Sequence, residues 1–334
     1  MDSLTQIVLG AAVGEKVLGK KLGNKALLYG AVAGTIPDLD VLAGKFMDPI
    51  DAIAIHRGFS HSVVFFLLIS PILGFLISKI EKRKRVSTWE GISLVFWGLL
   101  THVLLDAFTT WGTQIFWPLD YKVAFKSIFV IDPLYTLPFL ACLIMVMRYK
   151  KTDFKRTVWV NRGLVISTFY LFLSLGVKIA ALNRFENSLK EQGIAYQDII
   201  VKPAPFNIIL WNANIATSDG YLIADYSFLD SQPIAFQFYP QHKEWLGEAI
   251  NTPVMQQLID ISEGWYILTK KEDRLFFNDL RFGLLNTDLT RPEFAFSYEI
   301  VRENDTVQAY EVKNKTRKEG KELLIRLLRR IRGN

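Results

Sequence analysis

Residues 56–80 read HRGFSHSVVFFLLISPILGFLISKI. From Ser62 to Ile80 the stretch is apolar except for serines and one terminal lysine, close to the ~20 residues that a helix needs to cross a bilayer. Two of the chain's four histidines, His56 and His61, stand at its entrance with Arg57 and Gly58 between them. Titratable rings at the mouth of such a run call for packing partners, a proton path or a cation.

Further apolar runs occur at residues 26–43, 91–108, 130–147 and 163–182. The runs at 62–80, 130–147 and 163–182 read as membrane spans. The run at 91–108 carries His102 and Asp106, and the one at 26–43 carries Asp38 and Asp40. A first segment, Leu4 to Leu18, is short and interrupted by Glu15, so whether it spans, re-enters or lies inside a bundle stays open. Half of the 334 residues are hydrophobic, more than a soluble protein of this length needs. The expected fold for residues 1–184 is an all-α multi-pass membrane bundle of about five or six segments.

Charge divides the chain. Residues 1–184 carry +9, residues 185–312 carry −10, and residues 313–334 hold nine basic and two acidic residues. Basic clusters at Lys20, Lys21 and Lys25, at 81–85 (EKRKR) and at 148–156 (RYKKTDFKR) place those loops in the cytoplasm, and with them the HRGFSH loop and everything after residue 183 outside. From Phe206 the pattern changes to short runs such as FNIILWNANIA and YLIADYSFL, punctuated by Gly, Asn, Asp and Pro, which predict a small soluble β-rich domain over 185–312 with a helix near TPVMQQLIDIS. The tail 313–334 reads as a basic amphipathic helix suited to anionic lipid or to solvent. An acidic soluble body speaks against nucleic acid as a partner, leaving membrane lipid. Cys142 is the only cysteine, so a metal site would be built from His, Asp and Glu. The acidic rather than basic N-terminal stretch does not predict a cleaved signal peptide.

Seven ionisable residues lie in or beside the apolar runs of the first 106 residues: Glu15, Asp38, Asp40, His56, His61, His102 and Asp106. Charges at membrane depth cost about 2.5–3.5 kcal/mol each on insertion scales, so they face cavities and have partners. His102 and Asp106 are four apart and share one helical face. Pro37 ends a helix just before Asp38 and Asp40 and frees them to turn inward. Gly58 permits a bend that would bring His56 and His61 toward one centre. The assigned topology sets Asp38, Asp40, His56, His61, His102 and Asp106 at one depth near the outer face. Singly, each has a plainer reading: a structural His–Asp hydrogen bond, a helix-terminus aspartate, a solvated Glu15. Asp132 reads as a helix start, and Trp111 and Trp117 as an interfacial belt.

The motifs MDSLTQIVLGAAVGE, GTIPDLDVL, HRGFSHS, THVLLDAFTTWGTQIFWPLD and FVIDPLYTLPF together resemble the YdjM-like family of bacterial inner-membrane proteins regarded as metal-dependent hydrolases. The resemblance covers roughly residues 1–150 and implies an integral protein of the bacterial inner membrane. Gln6 stands where many relatives carry a histidine. The order Asp…His…His-x-x-x-Asp is similar, more weakly, to that of zinc-dependent phospholipases C and single-strand-specific zinc nucleases. That similarity implies His102 and Asp106 as one ligand pair, Asp38 or Asp40 as the earlier carboxylate, and His61 or His56 as the intervening imidazole. Further histidines of those enzymes have no counterpart, so one or two ions, Zn or Mn, are expected rather than three.

The expected activity is metal-assisted hydrolysis of an ester, a phosphoester before others, with a phospholipid or another amphiphile as substrate. A bound cation would lower the pKa of water toward ~7 and polarise the ester oxygen. The ligands would come from Asp38, Asp40, His56, His61, His102 and Asp106. A carboxylate outside the ligand set (Asp38, Asp40 or Glu15) would handle the proton, and Arg57 would neutralise an anionic substrate or anchor a headgroup. The competing classes are a proton- or ion-coupled transporter and a metal-stabilised scaffold.

Overall fold

The computed structural model describes residues 1–284, 292–303, 306–312 and 317–334, in two compact units. The first comprises Met1–Met47, Ile55–Gly176 and Pro205–Asn207, and the second Asp48–Ala54, Val177–Ala204 and Ile208–Asn334.

The first unit is helical. Helix α1 (Ser3–Leu22) starts where the Asp2 carboxylate accepts from the Thr5 amide at 3.1 Å, and α2 (Asn24–Ala33) returns along it. These two helices touch through backbone rather than side chains. A Cβ on Gly10 would fall on the Gly30 carbonyl, and one on Gly14 on the carbonyl of Ala26. Small residues bring helices this close in an apolar bundle. After α2 the chain breaks at Gly34–Ile36, makes a 3-10 turn at Pro37–Leu39 and continues as α3 (Asp40–Gly44), a bend of 48°. A further short helix, α4, covers Pro49–Ile55 and, apart from Ile55, belongs to the second unit.

Helix α5 (Val63–Ile80) is capped by Ser62, whose hydroxyl accepts from the Phe65 amide at 3.2 Å. Helix α6 (Thr88–Asp106) starts in a reciprocal Ser87–Glu90 capping box and packs on α5 where Gly74 meets Gly91. Helix α7 (Pro133–Arg148) begins at Asp132, whose carboxylate accepts from the amides of Leu134 and Tyr135, as a helix-starting aspartate should. Helix α8 (Phe154–Glu191) is 38 residues long. Val8, Leu9, Ala12, Leu105, Phe139 and Val146 form one buried core of this unit, and Leu18, Phe66, Leu94, Leu99 and Val103 another.

Among the described residues, three helices (α5, α6 and α8) are long and apolar enough to span a membrane, or four if α2 and the bent segment after it make one span. Five or six segments is therefore too many. Capping by Asp132 leaves α7 only 16 residues, and α1 carries Glu15, Lys16, Lys20 and Lys21 within its 20.

The second unit holds two four-stranded antiparallel sheets. Strands β1 (Asp198–Pro203), β2 (Leu210–Ala216), β3 (Gly220–Ser227) and β4 (Gln237–Pro240) form one in sequence order. The other is formed by β5 (Tyr266–Lys271), β6 (Arg274–Leu284), β7 (Phe294–Glu303) and β8 (Thr306–Glu311). Glu272 and Asp273, both with positive φ, make the tight turn from β5 to β6. Helix α9 (Pro253–Ile261) packs Met255, Leu258 and Ile261 with Tyr266, Phe277 and Tyr298 of the second sheet. Ile200, Tyr221 and Ile223 of the first sheet share a core with Ile267 and Leu280 of the second. Helix α10 (Arg317–Ile331) ends the chain.

Candidate metal centre

Four side chains from three stretches of the first unit meet in one place. Asp38 comes from the Pro37 turn, His61 from a 3-10 turn (Phe59–His61) ahead of α5, and His102 and Asp106 from the last turns of α6. Each offers one ligand atom, and these four atoms lie within 4.8 Å of one another. The Nε2 atoms of His61 and His102 are 3.4 Å apart. Each also stands 3.4 Å from Asp38 Oδ1 and 3.6 Å from Asp106 Oδ2. A tetrahedral zinc with ligands at about 2.0–2.1 Å would hold them about 3.4 Å apart. The edges fit.

The outer hydrogen bonds place a proton on Nδ1 of each ring. His102 Nδ1 lies 2.6 Å from the Gly34 carbonyl, which can only accept, so Nδ1 donates, and in the neutral ring Nε2 keeps the lone pair. The Ser60 hydroxyl donates to Asp40 Oδ2 at 2.9 Å, so its oxygen receives a proton from His61 Nδ1, also at 2.9 Å. In the neutral rings both Nε2 lone pairs face two carboxylate oxygens, with the Arg57 guanidinium beside that of Asp106. A cation is what reconciles four acceptors in a closed space, and second-shell bonds of this kind are how ligating histidines are oriented.

Asp106 divides its oxygens. Oδ1 accepts from Gln6 Nε2 at 2.9 Å and contacts the Met1 amino group. Oδ2 is buried without a hydrogen-bond partner and faces the two imidazoles. His61, His102 and Asp106 are buried, whereas the Asp38 side chain is 26% exposed and gives the group its opening.

Asp40 and His56 lie beside this group rather than in it. Asp40 Oδ1 pairs with His56 Nδ1 at 3.0 Å, while Oδ2 accepts from Ser60 and from the Arg57 amide. His56 packs edge-on against Trp111. Asp40 thus orients His61 through Ser60, a link the spacing of the sequence did not reveal. Arg57 is buried, with Nη1 donating to Thr109 Oγ1 at 2.9 Å and Nε 3.2 Å from Asp106 Oδ2. The left-handed residue of this turn is Arg57 (φ 64°), not Gly58 (φ −90°), where sequence placed the bend. Glu15 is elsewhere: both of its oxygens accept from Arg156, at 2.7 and 2.6 Å. Ser60 and the Gly34 carbonyl were missed because a serine and a main-chain oxygen carry no distinctive sequence signal, whereas Gln6, which stands where many relatives carry a histidine, donates to Asp106.

A sequence model of the YdjM inner membrane protein family matches residues 1–185. The chain is 31% identical over 111 residues to the inner membrane protein YbcI of Escherichia coli (strain K12), covering 33% of this chain and 60% of that protein. It is 30% identical over 154 residues to the uncharacterized protein YfhP of Bacillus subtilis (strain 168), covering 43% of this chain and 45% of the relative. The chain thus spans about half the length of these curated relatives. No solved structure gives a significant match. The matched region contains all four converging side chains and the helices apolar enough to cross a bilayer, and on that match the chain belongs to the YdjM inner membrane protein family.

Proposed function

We propose that the protein is a membrane-embedded, metal-dependent hydrolase acting on a phosphoester or a lipid-like ester. The observation that carries this reading is the convergence of two imidazole Nε2 atoms and two carboxylate oxygens, with each nitrogen 3.4–3.6 Å from the other and from both oxygens.

Asp38, His61, His102 and Asp106 would hold a zinc or manganese ion, which when bound supplies Lewis acidity and activates water. Asp38, the half-exposed member, borders the approach for substrate. Ser60 and the Gly34 carbonyl hold the two rings in their tautomers, so the ligand atoms are set in advance. Asp40 connects the His61 side of the site to His56, 23% exposed, and this chain of hydrogen bonds is a path by which a proton can leave. Arg57 places a fixed positive charge beside Asp106, where it favours an anionic substrate over a neutral one. The substrate class, the extracytoplasmic placement of the site and C-terminal domain, and the lipid as partner belong to this proposal.

The test is metal content after purification in detergent, for the wild type and for His102→Ala and Asp106→Ala, followed by assays on generic phosphodiester and carboxylester substrates. Zinc or manganese should co-purify with the wild type and be lost from both variants, with turnover following the metal. Full activity in metal-free protein would overturn the mechanism. Stoichiometric metal without turnover would leave a scaffold role, and metal-independent proton or ion flux a transporter.

A further inference from the structure

Helix α10 is fastened to its own domain at its C-terminal end. Arg330 grips both oxygens of Asp230 at 2.6 and 2.8 Å and reaches the Asp225 carbonyl at 3.2 Å. Ser227 Oγ donates to the Ile331 carbonyl at 2.7 Å. Leu323, Leu327 and Ile331, one stripe at a spacing of four, are half-buried, whereas the neighbouring ridge of Leu324, Ile325 and Leu328 is exposed. By helical spacing exposed Lys321 and Arg332 lie in line with that ridge at its two ends and exposed Arg329 flanks it, with Glu322 and Arg326 further round the helix. Where Ser227 pins the helix, Phe228 and Leu229 are exposed as well.

A soluble surface has no use for adjacent bare aliphatics flanked by cations. An interfacial helix does, because the leucines enter the acyl boundary while lysine and arginine stems reach back to phosphate. A second copy of the chain would set these arginines against their own like, which disfavours self-docking. The chain is already attached to a bilayer by its apolar helices, so the surface is present at high effective concentration. We infer that the ridge Leu324–Ile325–Leu328 with its adjoining arginines is a docking surface for anionic phospholipid, and that it seats the C-terminal domain on the membrane.

The test uses the full chain carrying Cys142→Ala and Leu328→Cys, labelled with bimane. The protein is reconstituted in phosphatidylcholine vesicles or in an equal mixture with phosphatidylglycerol, each doped with doxyl-labelled lipid. Quenching by the lipid-borne nitroxide should be at least about twofold stronger in the anionic vesicles, and Arg329→Glu with Arg332→Glu should abolish the difference. Leu324→Cys, labelled in the same way, provides a second position should Leu328→Cys fold poorly. A label open to aqueous iodide in both lipids overturns the inference. So does a label shielded from both quenchers, which would assign the ridge to a protein.

Discussion

His61 and His102 turn their Nε2 atoms toward each other at 3.4 Å, and in the neutral rings these are lone pairs, because a partner on the far side of each ring holds the Nδ1 proton. Two lone pairs at this distance do not attract. Asp38 and Asp106 add negative charge to the same space, so the arrangement gains its sense from a positive centre.

The far-side partners should therefore control affinity. Ser60→Ala removes the hydroxyl between His61 and Asp40 without touching a ligand atom. Loss of a second-shell bond of this kind weakens metal binding by about 10–100-fold. Ser60→Thr should retain most of it. Competition against a calibrated chelator measures both, and unchanged affinity in Ser60→Ala would disprove the orienting role.

Glu15 and Arg156 form a buried pair whose arginine also donates to Asn24 and to the carbonyls of Val146 and Tyr149. Removing either partner alone strands a charge in the bundle and should cost about 3–5 kcal/mol. Glu15→Gln combined with Arg156→Met should cost less than either single change and leave bound metal unaltered. Thermal unfolding in detergent and metal analysis report the two effects. A Glu15→Gln protein that is stable and metal-loaded but inactive would restore Glu15 to the catalytic set.

Gly30→Val tests the backbone contact between α1 and α2. Its side chain would meet the Gly10 carbonyl and the backbone of Gly14, which cannot move aside. Overpacking of this kind costs about 1–3 kcal/mol. Because α2 leads directly into Gly34 and Asp38, metal retention should fall together with stability. A variant that unfolds at the wild-type temperature and keeps its metal would show that the helices need not be so close.

The C-terminal domain has a pH dependence of its own. Burial pushes the Asp225 carboxyl up to about 6, even though Arg330 and Asn212 pull it down. The unfolded carboxyl ionises first, near the usual aspartate value, so the native state binds more protons between pH ~4 and ~6 and stability falls as pH rises through that window. Above it the penalty is constant. Asp225→Asn should flatten the fall, gaining about 1–3 kcal/mol relative to wild type at pH 7 compared with pH 4. Unfolding curves for both proteins at the two pH values give the difference, and parallel pH profiles would refute the assignment.

Most of the candidate site was legible in the sequence because helical spacing and charge in apolar surroundings are local signals. His102 and Asp106 are one turn apart, and Asp38 follows a proline, so both could be placed before any coordinates. The choice between His61 and His56, and between Asp38 and Asp40, depended on a turn that Arg57 makes in the left-handed region, which no residue type announces. The pairing of Glu15 with Arg156 was not legible, because the two are 141 residues apart. The number of spans was overcounted for a related reason: apolar composition extends to residue 130, but the Asp132 cap starts α7 later and shortens it. The β-rich domain and the basic helix were readable as patterns of alternation and charge, while strand order was not.

Helix α2 stops at Ala33, and the carbonyl of the next residue, Gly34, is the group that receives the His102 proton. The protonation pattern of that imidazole is thus dictated by the main chain, whose oxygen every amino acid carries. Point substitutions can displace this acceptor, but none can delete it.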